Sequence, residues 1–174
     1  MIFCNREAIK AKLDEGSYGE ISVVGNGNIT VGKYCSLSKE IVALFLLDHR
    51  VDWISTYPFP VLWELPITGH PVMPDKIIVG NDVWIGAGVT LLGGAEIGDG
   101  AVIGAFSLVA GRIPAYSIAA GHPAKVIRKR FSDDIIEDLL KIAWWNWDKE
   151  KIMDNVNLLC SQNIKDFIKK NKVD

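Results

Sequence analysis

The chain has 174 residues, 49% of them apolar and 23% charged, with 19 basic against 21 acidic residues and a formal net charge of -2. That is enough sequence for one domain with a real core, and it is too apolar for a disordered tail. The near-balanced charge offers no basic face for nucleic acid. The three cysteines, Cys4, Cys35 and Cys160, make neither a disulfide framework nor a zinc spacing, which fits a reducing compartment.

The N-terminus, MIFCNREAIKAKL, carries charges where a signal peptide needs an apolar run. The longest apolar stretch, Ile41 to Leu47, is seven residues, against the roughly 20 that cross a bilayer. The expected location is the cytoplasm, with no membrane partner.

From Val31 the chain reads VGKYCS and then LSKEIV, two hexads with an apolar first position. The pattern returns at Val79 as VGNDVW, IGAGVT, LLGGAE, IGDGAV, IGAFSL and VAGRIP. Its first position is Val, Ile or Leu each time, its second is mostly Gly, and its fifth is mostly small. Val31 precedes Val79 by 48 residues, a whole number of hexads, so the two blocks share a phase. Position five and the next position one lie two apart, hence on one face of a strand. Apolar residues spaced two and four apart do not fit a helix. The pattern predicts a solenoid of short parallel strands, with glycine where the backbone turns. Spacing alone does not give the hand of the coil. Alternation sends Trp84 outward between Val83 and Ile85. With three hexads to a turn, Val102 stacks beside it, making an outward apolar patch for a ligand or a subunit.

Between the blocks, from about Ala43 to Lys76, the repeat breaks in a segment rich in aromatic residues and proline. Long loops inside compact domains are usually functional. This one holds Trp53, Tyr57, Phe59 and Trp63, so it predicts a pocket wall or a grip on a neighbouring chain. At its base is His49, which read alone is a surface residue or a proton acceptor. His70 and His122, each in a Gly-His-Pro run, read as turn structure. After residue 130 the pattern turns helical. Ser132 is a candidate N-cap before Asp133 and Asp134, and Asp148 a second. Ile135, Ile136, Leu139, Leu140 and Ala143 form one apolar stripe, and Ile152, Val156 and Leu159 another. Trp144, Trp145 and Trp147 read as packing. The helices are expected to cap the open end of the coil.

The hexads, with DHRVDWISTYPF, IIVGNDVWIG and IAAGHPAKVIRKRFSDDIIEDLLKIAWWNW, resemble the xenobiotic acetyltransferase branch of the hexapeptide-repeat acyltransferases. The resemblance implies an all-β solenoid, a left-handed parallel β-helix over residues 1–130 with a protruding loop at 43–78. A C-terminal α-helical cap over 131–174 completes it. It further implies a homotrimer, acetyl-CoA as co-substrate and no metal. His49 falls on the family's catalytic histidine. Trp84 falls beside the pantetheine arm, Ala87, Ala105 and Ala110 on backbone positions that hold that arm, and Lys125 and Arg128 near the CoA phosphates. Asp48 and Asp52 are candidates to orient His49 or bind the acceptor. Trp53 and Tyr57 are candidates to stack on the acceptor.

The drug-modifying members of that branch carry a longer, tyrosine-rich N-terminal segment that this sequence does not show. The acceptor expected on that ground is a carbohydrate: a sugar, a nucleotide sugar or a surface polysaccharide. The alternative is an antibiotic, of the chloramphenicol or streptogramin type. A zinc hydratase of the γ-carbonic anhydrase type is the remoter rival, disfavoured because no two histidines are close in sequence. A non-catalytic scaffold is disfavoured by the pairing of His49 with Trp84.

Overall fold

The computed structural model describes residues 9–45, 49–70 and 76–172. The first five strands are β1 (Ile9–Lys10), β2 (Ile21–Gly25), β3 (Ile29–Val31), β4 (Ser36–Leu37) and β5 (Ile41–Phe45). A short helix, α1 (Phe59–Leu62), lies in the interruption. The second block gives β6 (Ile77–Val79), β7 (Trp84–Ile85), β8 (Thr90–Leu92), β9 (Glu96–Ile97), β10 (Val102–Ile103), β11 (Leu108–Val109) and β12 (Arg112–Ile113). Then come β13 (Ser117–Gly121), β14 (Ala124–Lys129) and three helices, α2 (Asp133–Ile142), α3 (Lys149–Leu159) and α4 (Ile164–Asn171).

Successive strands fall on three different sheets, ordered β1-β2-β5-β8-β11, β14-β13-β10-β7-β4 and β12-β9-β6-β3. The chain therefore coils around a three-walled prism. Trp84 pairs with Val102, and Thr90 with Leu108, so one turn takes eighteen residues, or three hexads. The pairing of Val31 with Val79 carries the register across the interruption.

The hexads work as alternation requires. First positions Val79, Ile85, Leu91, Ile97 and Ile103, and fifth positions Val83, Val89, Ala95 and Ala101, are all buried in the coil. Each large aliphatic among them contributes about 1.5–3 kcal/mol. Ser107, the polar fifth position, is satisfied: its hydroxyl donates to the Gly104 carbonyl at 2.7 Å and accepts from the Gly121 N–H at 3.1 Å. Cys35 is also inward, its thiol against the Gly80 carbonyl at 3.1 Å.

Glycine at position two serves closeness. A Cβ on Gly86 would lie 2.6 Å from the Ala105 backbone nitrogen of the next turn. The left-handed corner comes two residues later, at position four, where Tyr34, Glu40, Asp82, Gly88, Gly94, Gly100 and Phe106 all have positive φ. Four of these carry side chains, each at a cost of about 1–2 kcal/mol.

The helices form a second apolar cluster, in which Ile136, Leu139, Ile142, Trp145 and Phe167 pack with Tyr116 of the coil. Tyr34 joins it, its ring 5.0 Å from Trp144. The helical face thus meets the coil along one corner, while the strand edge left by β13 is met by antiparallel β14. The expected stripe on α2 is shifted: Leu140 is exposed and Ile142 is buried. In α3 the fully buried position is Asn155, not one of the expected aliphatics. Asp148 caps α3 by accepting from the Lys151 N–H at 2.8 Å. Ser132 makes no side-chain cap bond to α2. Among the described residues no helix is long and apolar enough to cross a membrane.

Candidate active site

The loop departs after β5 and rejoins at β6, so its ends are fixed by two walls of the coil. His49 is exposed near its start. Its Nδ1 lies 2.6 Å from the Thr56 carbonyl oxygen. A carbonyl only accepts, so Nδ1 carries the proton and Nε2 keeps its lone pair. The bent backbone over 51–54 is what brings that carbonyl back to a residue seven positions earlier.

Among the described residues no hydrogen bond joins Asp52 to His49. Asp52 holds Arg50 in a two-point ion pair, with Nε donating to Oδ1 at 2.6 Å and a second, shorter contact from Nη2 to Oδ2. The hydrogen bonds from Arg50 lower the Asp52 pKa. The Arg50 guanidinium also covers the Trp53 ring, 5.5 Å from its centroid. Asp48 lies outside the described residues. Tyr57, Phe59 and Trp63 form a row of rings with successive centroids 4.7 Å apart.

The histidine read as a plain turn residue, His70, is part of this group. Its ring meets that of His49 edge-on, with centroids 5.1 Å apart, and lies 6.1 Å from Trp53. Both His70 ring nitrogens are buried, without a hydrogen-bond partner among the described residues. The twenty-one positions that separate the two histidines hid this contact from any local motif. His122 lies instead beyond β13, at the turn into β14. Among the described residues no three His, Cys, Asp or Glu side chains gather as a metal site.

The expected cofactor residues lie on the coil. Trp84 is outward and 56% exposed between buried Val83 and Ile85. The register Trp84–Val102–Ile118–Arg128 runs across a single wall. At strand spacing, Arg128 is about 14 Å from Trp84 along this row. Lys125 is opposite Ala120 on the same wall. Lys125 and Arg128 are exposed; Ala105 and Ala110 are exposed corner residues and Ala87 is half-buried. Among the described residues, no hydrogen bond, ion pair or ring contact joins the loop to Trp84, Ala87, Ala105, Ala110, Lys125 or Arg128. The candidates thus fall into two groups, a histidine loop and an outward wall on which Trp84, Val102, Ile118 and Arg128 lie in register.

Residues 76–111 match the family model for the bacterial transferase hexapeptide of six repeats. A probable macrolide acetyltransferase from Lysinibacillus sphaericus is 44% identical over 140 residues, covering 77% of this chain and 78% of that protein. This chain belongs to the hexapeptide-repeat acetyltransferases. A chloramphenicol acetyltransferase from Klebsiella aerogenes is 40% identical over 144 residues, 78% of this chain and 68% of that one. Among solved structures, the polysialic acid O-acetyltransferase OatWY shares the fold, with a TM-score of 0.52 at 22% identity over 70% of this chain and 54% of that one. This hexapeptide acetyltransferase is thus an acyl-transfer enzyme.

Proposed function

We propose that this acetyltransferase moves the acetyl group of acetyl-CoA to a hydroxyl of a macrolide-like antibiotic. The likeness to a macrolide acetyltransferase supports that acceptor above the carbohydrate expected from the sequence. The carbohydrate expectation rested on a missing tyrosine-rich segment. The relative named for macrolides aligns over nearly equal shares of both chains, so the two are of similar length. A short chain is therefore no argument against a drug acceptor.

The observation that carries the mechanism is the 2.6 Å contact of His49 Nδ1 with the Thr56 carbonyl. It leaves Nε2 free to take the hydroxyl proton while the oxygen attacks the thioester carbonyl. Backbone N–H groups stabilise the tetrahedral oxyanion. Its collapse breaks the carbon–sulfur bond, and the thiolate leaves with the proton returned from His49. No acyl-enzyme is invoked: Cys35 is inside the coil, where burial raises its thiol pKa.

We take Trp84 to line the pantetheine arm, Ala87, Ala105 and Ala110 to meet that arm through their backbone, and Lys125 and Arg128 to meet the phosphates. The coil is left-handed in this reading, and three copies associate so that one chain's loop reaches the next chain's wall. Residues 131–174 then form a helical unit appended to a coil of residues 1–130.

The test is thiol release from acetyl-CoA with a panel of macrolides, chloramphenicol, a streptogramin, amino-sugar nucleotides and oligosaccharides. Macrolide turnover is expected to lead. Carbohydrate turnover above that of every drug would overturn the acceptor. His49→Ala should lower the rate about 10²- to 10⁴-fold.

A further inference from the structure

Nothing in the mechanism above employs His70, yet its place in the loop is unusual. Its ring is edge-on to the His49 imidazole at 5.1 Å and tilted against Trp53 at 6.1 Å. Both of its nitrogens are buried with no hydrogen-bond partner among the described residues. An unmade hydrogen bond in a buried polar group costs about 1–3 kcal/mol. If only a flat ring were needed against His49 and Trp53, phenylalanine would fill the place without that cost. A polar group left unsatisfied in a native structure calls for an explanation, and a role in catalysis is one.

The rest of the cluster sharpens the point. His49 is fixed from one side by the Thr56 carbonyl on Nδ1. Arg50, the neighbouring cation, is occupied by Asp52 and by the Gly69 carbonyl at 3.5 Å, next to His70 in the chain. The chain thus clamps the segment around His70 against the segment around His49. The remaining freedom of the His49 ring, rotation about its Thr56 bond, is limited by the perpendicular His70 ring. During transfer His49 gains a proton and a charge. The His70 imidazole beside it offers unpaired ring nitrogens and a polarisable face to that charge, which a phenyl ring matches only in part.

We propose that His70 is a positioning residue for acetyl transfer. It holds the His49 ring plane and gives the charged ring a polar neighbour during the step in which the acceptor proton sits on Nε2. The proposal rests on the reading of His49 as the base.

The experiment measures thiol release by wild type, His49→Ala, His70→Phe and His70→Leu, with acetyl-CoA varied at saturating acceptor. If the wild type shows no drug turnover, the slow hydrolysis of acetyl-CoA by water is followed instead. The expected result for His70→Phe is a kcat lower by about 10- to 100-fold, the cost of a misplaced catalytic group. The KM for acetyl-CoA is expected to stay unchanged, and the melting temperature to hold or rise because a buried polar group has been removed. A role in packing alone would leave kcat intact in His70→Phe. Wild-type kcat in a folded His70→Phe overturns the proposal. If the phenylalanine variant does not fold, His70→Leu is judged by the same criterion. Wild-type activity in His49→Ala would instead overturn the base on which the proposal rests, so the two failures are distinct.

Discussion

Replacing Asp82 by Asn should make the protein more stable above pH 6 and leave it little changed near pH 4. Asp82 stands at a position-four corner, with φ of 54°. Burial pushes its pKa from the ordinary 3.8 up to about 6, despite Arg130, and Asp99 adds to the rise. The folded protein therefore holds the proton more tightly than the unfolded chain. Asp82 costs nothing while protonated in both states, below 3.8. Its penalty grows as pH rises from there and is complete above about 6. The full shift amounts to about 3 kcal/mol. With the side chain 32% exposed, solvent screening reduces this to about 1–2 kcal/mol. Asn accepts the left-handed backbone and has no charge to bury. Arg130 keeps its bond to the Gly100 carbonyl at 2.6 Å and its place over Tyr116 and Phe131. Denaturation of both proteins between pH 4 and 8 should show a gain for Asp82→Asn that grows to about 2–8 °C in Tm. A loss of stability above pH 6, or a difference that does not vary with pH, would show that the ion pair with Arg130 outweighs desolvation.

Trp84→Ala should raise the KM for acetyl-CoA while shifting the melting temperature of the isolated chain little, because the ring is outside the coil; an unchanged KM would remove the pantetheine from this wall. Gly86→Ala should cost more than about 2 kcal/mol, since its Cβ would be forced against backbone atoms of the next turn. Chemical denaturation of Gly86→Ala that matched wild type would contradict the close approach of turns.

The inward positions were legible because burial on each successive wall stamps the same residue classes at a period of six, as Val83, Ile85, Val89 and Leu91 do. The outward Trp84 and the buried Cys35 follow from the same alternation. The position-four corner was not legible. Tyr34, Glu40, Asp82 and Phe106 occupy it with side chains that give no sign of left-handed backbone. On α2 the stripe was misplaced at Leu140 because two packing registers are possible for an alternation of Ile and Leu, and the coil corner selects the one with Ile142 inward. In the loop, DHRVDWISTYPF marked the candidate residues, and the pairing of Asp52 with Arg50 is a local contact two positions apart that takes the carboxylate away from His49. The arrival of His70 is a tertiary event that no spacing rule reports. The carbohydrate expectation was argued from an absent segment instead of from groups that are present, and the named relatives favour its antibiotic alternative.

The inserted loop also sets an order on folding. Neighbouring turns in the uninterrupted part pair residues eighteen apart, such as Trp84 with Val102, whereas Val42 meets Thr90 across forty-eight. Closing the longer span costs about 0.9 kcal/mol more in chain entropy. The stretch from β6 to β13 should therefore nucleate first, as a self-templating stack of low contact order. The strands before the loop then add to its exposed edge. Hydrogen exchange should find the amides of β7 and β10 protected longest, with β2 to β5 opening as a separate unit. Docking of β5 against β8 is what anchors the start of the loop, so the histidine pair is assembled by the last step of folding, and is the first feature lost when the N-terminal turns open.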